Sequence, residues 1–364
     1  MVGQITLAQT ARRLMSKRFH SGLVVGKFAP LHNGHVLVVE TALGCCDHVV
    51  ILSYSSPECD FASPDRREQW LSALFPDTTR LVVTNARLAE WFAIASSVPV
   101  LPSNDAADDV HRDFVALLLE QIVGRRVDAV FTSEEYGPGF AEHLTRRFRT
   151  TDAAAPAVIH VAVDPARLKV PVSGSALRHD IWERWQYLPA VVARSLVQRV
   201  VFVGGESSGK STLAAAMAKE LDTISVDEYG RELWTAKGGV LEFDDLTAIA
   251  GEQIRREDAA LARARRWVFC DTSPLTTMFY CLEQFGRASR ELEDAAGRPY
   301  DHIVLCAPDF PFVQDGTRRD SAFRSRQHRW YETELAGRGV GYYVATGSLA
   351  ERLEALTGYL KWAE

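Results

Sequence analysis

The chain has six cysteines in 364 residues, Cys45, Cys46, Cys59, Cys270, Cys281 and Cys306, and none stands in a CxxC pair. That spacing suits neither a zinc ribbon nor a disulfide framework, and a reducing, cytoplasmic setting is expected. Long apolar runs are missing as well. Nothing approaches the roughly 18 residues that a membrane helix needs, and Val200 to Gly204 is only long enough for a core strand, so no membrane partner is expected. Positive charge is not in excess: 41 Lys and Arg stand against 47 Asp and Glu, for a net charge of -6. A protein that coats nucleic acid usually carries a strongly basic face, so no DNA partner is expected either. There is no repeat of fixed period and no low-complexity segment. What remains is ordinary globular composition, 47% hydrophobic and 24% charged, over a length that favours at least two domains. Met1 to His20 hold Arg12, Arg13, Lys17 and Arg18 but no signal-peptide apolar core, and residues 1–21 read as a flexible leader.

Two strand-glycine-helix openings, Leu23 to His35 and Val200 to Leu213, each look like the start of an α/β domain. In the first half, apolar runs at Leu23 to Phe28, Val49 to Ser53, Leu81 to Thr84, Ala129 to Thr132 and Val158 to Val163 predict strands. Helices are predicted at Pro64 to Phe75, with Ser63 as N-cap and Pro64 at the first position, and at Val110 to Val123. The second half repeats this rhythm. Its predicted strands are Arg199 to Val203, Ile224 to Val226, Trp267 to Cys270, His302 to Cys306 and Tyr342 to Ala345. Its predicted helices are Lys210 to Leu221, Leu246 to Arg265 and Ser321 to Leu335. Such βαβ alternation predicts parallel sheets in both halves. The join is expected between Tyr187 and Gln198, after a short helix over Ala176 to Trp185, giving domains at residues 22–193 and 194–364.

Gly26-Lys27-Phe28-Ala29-Pro30-Leu31-His32-Asn33-Gly34-His35 ends an apolar strand and opens a helix. Gly26 and Gly34 let the backbone approach a ligand, and the helix start offers unpaired N–H groups to phosphate. His32 and His35, three residues apart, fall on one side of the first turn, where two imidazoles can hydrogen-bond phosphate oxygens whose charge grows in a transition state. An HxxH pair also suits a metal or plain surface polarity; the glycine-rich context favours phosphate. The string resembles the GxFxPxHxGH signature of the nucleotidyltransferase superfamily that includes nicotinamide mononucleotide adenylyltransferases. Val172-Ser173-Gly174-Ser175-Ala176-Leu177-Arg178 resembles that superfamily's second signature, ISGTxxR, with Val for Ile and Ser for Thr.

The resemblance implies a Rossmann-like domain that binds ATP with Mg²⁺ and joins its α-phosphorus to a mononucleotide phosphate. It implies that His32 and His35 hold the α and β phosphates and that Ser173, Ser175 and Arg178 hold the β and γ phosphates. Gly26, Lys27, Phe28 and Gly34 complete the expected ATP site. Thr132-Ser133-Glu134-Glu135-Tyr136-Gly137 resembles the family's substrate-contacting segment, which makes Ser133, Glu134 and Tyr136 candidate substrate residues; the alternative is a turn closed by Gly137. Trp91 and Phe92 either stack on a nicotinamide or adenine ring or pack in the core.

Gly204-Gly205-Glu206-Ser207-Ser208-Gly209-Lys210-Ser211, with Thr212 after it, follows a predicted strand and precedes a predicted helix, so the GxxxxGK[ST] pattern has the context a P-loop requires. Its backbone amides would cradle phosphates, Lys210 would bridge the β and γ phosphates, and Ser211 would ligate Mg²⁺. Asp271, at a strand end, takes the place of a second metal-organising residue, or of a helix N-cap. Asp227-Glu228-Tyr229-Gly230-Arg231-Glu232 follows the second strand of this half, where kinases of small hydroxyl substrates put an acid; Asp227 is the expected base, and its neighbour Glu228 is the alternative. Asp309 to Arg319 reads as a lid whose Arg318 reaches the phosphates.

DEYGRE, Cys270 to Thr277 and PDFPFVQDGTR together resemble the ribosylnicotinamide kinase domain of bifunctional NadR-type proteins, with Ser273 in place of the second acid of DTD and Phe312 in place of a lid tryptophan. The resemblance implies a bifunctional enzyme that phosphorylates nicotinamide riboside to nicotinamide mononucleotide and adenylylates the mononucleotide to NAD. Glu228, Tyr229 and Arg231 are then expected at the substrate. About 20 residues ahead of the first strand are too few for a three-helix DNA reader, so no repressor role is expected. A homo-oligomer is compatible with this reading. Alternatives are a sulfurylase fused to an adenylylsulfate kinase, disfavoured by GKFAPLHNGH in place of a QxRNPxH-like string, and a module whose P-loop half senses a nucleotide without turning it over.

Overall fold

The computed structural model describes residues 17–95, 97–312 and 319–362. The chain divides between Ser195 and Leu196 into two units, each built on its own five-stranded parallel sheet. In the first unit the strands are β1 (Phe19–Gly26), β2 (Cys46–Ser53), β3 (Thr79–Val82), β4 (Ala129–Thr132) and β5 (Ile159–Ala162), in the order β3-β2-β1-β4-β5. Its helices are α1 (Asn33–Cys45), α2 (Pro64–Leu74), α3 (Asn85–Trp91), α4 (Asp108–Leu118), α5 (Gly137–Thr151), α6 (Gly174–His179) and α7 (Ala190–Leu196), the last crossing the division. In the second unit the strands are β6 (Gln198–Val203), β7 (Ile224–Val226), β8 (Trp267–Cys270), β9 (His302–Cys306) and β10 (Tyr343–Ala345), in the order β10-β9-β6-β8-β7. Its helices are α8 (Lys210–Glu220), α9 (Tyr229–Ala236), α10 (Phe243–Ala260), α11 (Pro274–Phe285), α12 (Arg290–Ala296), α13 (Ser321–Gly337) and α14 (Leu349–Trp362).

Parallel pairing explains the apolar runs. A strand covered by helices on both faces has no polar side, and β6 shows it: Val200 and Phe202 belong to one buried cluster, with Phe269, Val304 and Leu213, while Val201 and Val203 belong to another, with Val268, Leu305 and Tyr331. In the first unit Leu23 of β1, Val50 and Leu52 of β2 and Val130 of β4 pack with Phe114, Phe140 and Leu144. The helix starts follow local chemistry. Ser63 caps α2 by accepting from the Arg66 N–H at 3.3 Å, with Pro64 at the first position.

Several bounds differ from the sequence reading. β1 begins at Phe19, inside the expected leader, and ends at Gly26, so Phe28 lies beyond it. The helix expected over Ala176 to Trp185 stops at His179, because Asp180 leaves helical geometry and its Oδ1 accepts from the Glu183 N–H at 3.0 Å, a local bond that competes with the helix. The helix expected through Val123 keeps α-geometry only to Leu118 and widens to a π-turn over Leu119–Val123.

In both sheets the strand preceding the glycine-rich turn is the central one, and crossovers leave it in opposite directions, so the carboxyl ends of the strands form a crevice where ligands of open α/β sheets bind. The middle of β1 is tight. A Cβ added at Gly22 would lie 2.5 Å from Cys46 Sγ and 2.8 Å from the Phe131 ring. Gly22→Ala is therefore expected to destabilise the first unit by about 1–3 kcal/mol, read as a lower midpoint in calorimetric thermal unfolding; an unchanged midpoint would show that β1 shifts to make room.

Candidate functional site

In the first unit the chain leaves β1 and turns at Phe28, a left-handed residue at φ 50° whose ring is fully buried, 4.7 Å from the ring of His35. Phe28 was expected at the nucleotide; it is instead the prop on which His35 rests. The two histidines cap α1 reciprocally. His32 Nδ1 accepts from the Gly34 N–H at 3.1 Å, and His35 Nδ1 accepts from the His32 N–H at 3.3 Å, which is the capping-box arrangement made with imidazoles. An Nδ1 that accepts carries no proton, so each neutral ring keeps its hydrogen on Nε2 and has a donor left over. The rings lie 3.8 Å apart. Burial first, then the positive charges of Arg167 and Arg178, hold His32 neutral down to about 4. Burial, then His32 and Arg178, hold His35 well below its ordinary value.

The second glycine-containing signature closes on the first. Ser173 caps α6 through the Ala176 N–H at 3.1 Å, and Arg178 donates to the Ala29 carbonyl at 2.9 Å and to Ser175 Oγ at 3.0 Å. A Cβ on Gly174 would lie 3.1 Å from Arg178 Nη1 and 3.8 Å from His32 Nε2, so three groups far apart in sequence meet there. His32, Gly34, His35, Ser133, Glu134, Ser173 and Gly174 line one small cavity of about 70 Å³. Asp164 and Arg167 line it too, and sequence reasoning missed both. Asp164 accepts from the N–H groups of Leu168, Lys169 and Val170, which shapes the loop that brings Arg167 to Glu134 at 2.8 Å.

A larger cavity of about 190 Å³ adjoins Gly26 and Lys27 and is lined by Tyr54, Asn104, Asp108, His111, Tyr136 and Phe140 among others. Tyr54 and His111 stack and share a hydrogen bond of 3.1 Å. Tyr136 reaches this cavity rather than the smaller one; burial and the nearby Glu134 push its hydroxyl up to about 12. Burial and Arg178 lower Lys27. Trp91, expected to stack on a base, lines neither cavity and is half-buried against the core, beside the buried Phe92.

In the second unit, β6 runs into the P-loop. Gly204 at φ 138° and Gly209 at φ 80° hold backbone that side chains rarely adopt, and a Cβ on Gly205 would lie 2.6 Å from the Arg324 carbonyl, so this path requires glycine. Lys210 Nζ donates to the carbonyls of Gly204 and Gly205 at 2.9 and 3.0 Å. Asp271, at the end of the neighbouring β8, is 6% exposed, and its Oδ1 has no partner among the described residues. Burial raises its carboxyl, while the Ser211 hydroxyl and Lys210 oppose the rise. A buried carboxylate oxygen with an open lone pair beside a hydroxyl fits a hard cation, and Ser211 and Asp271 are the residues that would hold Mg²⁺. Ser273 adds no acid there; it starts α11 without a side-chain cap, its hydroxyl buried and unpartnered among the described residues.

The cavity beside this P-loop measures about 270 Å³. Glu206 to Thr212 form one wall; Glu228, Arg231, Trp234, Leu241, Leu246, Ile249, Thr276, Thr277, Tyr280 and Gln284 form the others. Glu206 accepts from the Tyr280 hydroxyl at 3.0 Å and from the Arg319 N–H at 2.8 Å. The expected base does not line this space: Asp227 is exposed, whereas its neighbour Glu228 does. Burial and the charge of Asp271 raise the Glu228 carboxyl, against the pull of Lys210 and Arg231. Tyr229, expected at the substrate, turns to the core under the Arg256 guanidinium, 4.5 Å from its ring. Arg318 lies outside the described residues. Trp234, Tyr280 and Gln284 were missed although helix spacing displays them: 228, 231 and 234 recur every three residues, and 276, 280 and 284 every four.

Residues 199–352 match the family model described as an AAA domain. The trifunctional NAD biosynthesis/regulator protein NadR of Escherichia coli (strain K12) is 29% identical over 304 residues, covering 82% of this chain and 71% of the relative. Its counterpart in Salmonella typhimurium (strain LT2) is 29% identical over 316 residues, with the same coverage. The chain is similar to these NadR proteins over most of its length. A crystal structure of NadR in complex with NAD and AMP-PNP matches 96% of this chain and 98% of its own with a TM-score of 0.63 at 18% identity. Another, in complex with NR, gives 0.59 at 19% identity over 96% of this chain and 97% of its own. The likeness to the NadR crystal structures is one of fold.

The histidine pair makes the first unit acid-sensitive. Unfolded, His32 takes up its proton near 6.5; folded, only near 4, so stability is full above that window and is lost as pH falls through it. For His32 alone the loss reaches up to about 3 kcal/mol. His32→Asn keeps a good N-cap and removes that titration. Its thermal midpoint is expected to fall less steeply with acid than the wild type's, His35 keeping part of the slope. Identical slopes would exclude His32 as a source.

Proposed function

We propose that the chain is a bifunctional enzyme of NAD biosynthesis, transferring phosphate from ATP to nicotinamide riboside in its second unit and adenylyl from ATP to nicotinamide mononucleotide in its first. The observation that carries this is that each phosphate-binding strand end opens onto its own cavity, about 190 Å³ in the first unit and about 270 Å³ in the second. The NadR relatives are named for NAD biosynthesis, and crystal structures of NadR hold NAD with AMP-PNP, and NR, which supports ligands of this class.

For adenylyl transfer, the attacking mononucleotide phosphate is already ionised and needs no base. The requirement is to align it with the α-phosphorus of ATP and to stabilise charge as the α-phosphorus–oxygen bond to pyrophosphate breaks. The Nε2–H groups of His32 and His35 supply neutral donors. Ser173 and the Arg178 guanidinium supply further donors where the pyrophosphate would form, and Lys27 neutralises charge at the mouth of the larger cavity.

For phosphoryl transfer, Glu228 takes the proton of the riboside hydroxyl as its oxygen bonds the γ-phosphorus and ADP leaves. Lys210 meets the β and γ phosphates. Mg²⁺ on Ser211 and Asp271 would neutralise phosphate charge. Trp234 and Tyr280 give the cavity aromatic faces suited to a cationic pyridinium ring, and Glu206 adds negative charge.

The test is product formation from ATP, Mg²⁺ and either the riboside or the mononucleotide. NAD from mononucleotide should fail in His35→Ala, and riboside phosphorylation should fail in Lys210→Ala. Riboside left untouched while mononucleotide gives NAD would assign the P-loop unit to sensing or to another acceptor; no reaction with either would overturn the proposal. Within the kinase reaction, Glu228→Gln should lower kcat by roughly 10²–10⁴-fold and Asp227→Asn far less. Because the base acts deprotonated, wild-type kcat should rise with pH through the raised Glu228 value. The reverse ranking of the variants would return the role to Asp227.

A further inference from the structure

Glu228 stands one residue ahead of α9, and Arg231 of that helix pairs with its carboxylate at 3.6 Å, but no side chain caps the helix start, whose first N–H groups have no intrahelical acceptor. The N–H of Tyr229 finds one in the Oε1 of Gln253, at 3.1 Å, on the long helix α10. Gln253 is 1% exposed, so water does not compete for the bond. Its amide then has to lie one way round. Nε2 donates to Glu257 Oε1, one helical turn on, at 3.5 Å. Glu257 is fully buried and accepts from the Tyr300 hydroxyl on both oxygens, at 3.0 and 3.2 Å, and its Oε2 pairs with Arg298 Nε at 3.3 Å. The Tyr229 N–H requires the carbonyl on its side, since the flipped amide would set two donors against each other; burial raises the Glu257 carboxyl to about 7, and in its ionised form it only accepts and draws the NH₂ of Gln253 toward itself.

We infer that Gln253 is a positioning residue for phosphoryl transfer: it pins the start of α9, and with it Glu228, against the P-loop cavity, and Glu257 fixes the direction of its amide. The inference rests on Glu228 acting as the base. The set draws on α9, α10 and the segment before β9, so the base is held from the body of the unit rather than from its own loop. Gln253 itself touches no reacting atom.

Substitutions that preserve size separate this from packing. Gln253→Met keeps bulk but accepts nothing, and kcat for the riboside should fall on the order of 10- to 100-fold, with KM for ATP within about twofold. Amide hydrogen exchange at Tyr229 should speed up. Gln253→Glu keeps an acceptor for the Tyr229 N–H, and Glu257, whose carboxyl burial already raises to about 7, takes the proton that joins the two carboxyls, so kcat and exchange should stay near wild type. All variants are compared where circular dichroism shows them folded. Unchanged kcat and exchange in Gln253→Met, or a Gln253→Glu variant that loses as much as Gln253→Met, would overturn the inference. A wild type that leaves the riboside untouched sinks the kinase reading instead, and the exchange at Tyr229 then decides the positioning alone: faster exchange in Gln253→Met upholds it and unchanged exchange rejects it.

Discussion

The unpaired N–H groups at the first turn of a helix must face something polar, and in both units that turn follows directly on the central strand of a parallel sheet. Strand pairing leaves the central strand no freedom to bend away, and the helix that returns across it presents its positive end at the carboxyl edge of the sheet. The two units meet this constraint differently. At α1 the side chains of His32 and His35 take two of the free N–H groups, which leaves their Nε2–H groups as the outward donors. At α8 the cap is Gly209, with no side chain, so the backbone itself stays open to a ligand. The first unit therefore offers neutral imidazole donors at its helix start, and the second offers bare amides beside Lys210.

Much of this was legible in the sequence because it is local. Apolar runs located the ten strands of the described residues, to within a few residues at their ends, since a strand buried on both faces admits little else. The P-loop and the two histidine-and-serine signatures stand in their expected places because strand, glycine turn and helix are consecutive in the chain. What was not legible depends on which way a side chain turns. Asp227 and Glu228 are adjacent acids that sequence cannot rank; the structure brings Glu228 to the wall of the P-loop cavity and leaves Asp227 exposed. Phe28 belongs to the signature but is pulled inward by burial, and Trp91 is claimed by the core. Asp164 and Arg167 were invisible because their loop is held by one carboxylate accepting three backbone N–H groups, a pattern with no periodicity.

Charge placement inside the second unit follows from the same geometry. Glu228 and Asp271 are two carboxylates near each other and near Lys210, and burial raises both. Two acids in such a place would repel if both were ionised without compensation. Lys210 and Arg231 supply part of it. A cation on Asp271 would supply more, and would thereby free Glu228 to change its protonation state. On the proposed reading, metal binding at Asp271 and proton acceptance at Glu228 would be coupled through this pair of side chains.

The polar atoms left without partners among the described residues argue the same point from stability. Ser208 Oγ, in the loop after β6, and Asp271 Oδ1, Thr272 Oγ1 and Ser273 Oγ, just after β8, are all buried, whereas the sheet beneath them is apolar. Each such group costs about 1–3 kcal/mol where a partner is missing. Apolar residues of the same size would make a more stable fold, and the sheet interior shows that this sequence has them in supply. These four among the twelve such atoms of the described residues would find partners in a ligand bound at the P-loop, and such a ligand would then raise the stability of the second unit.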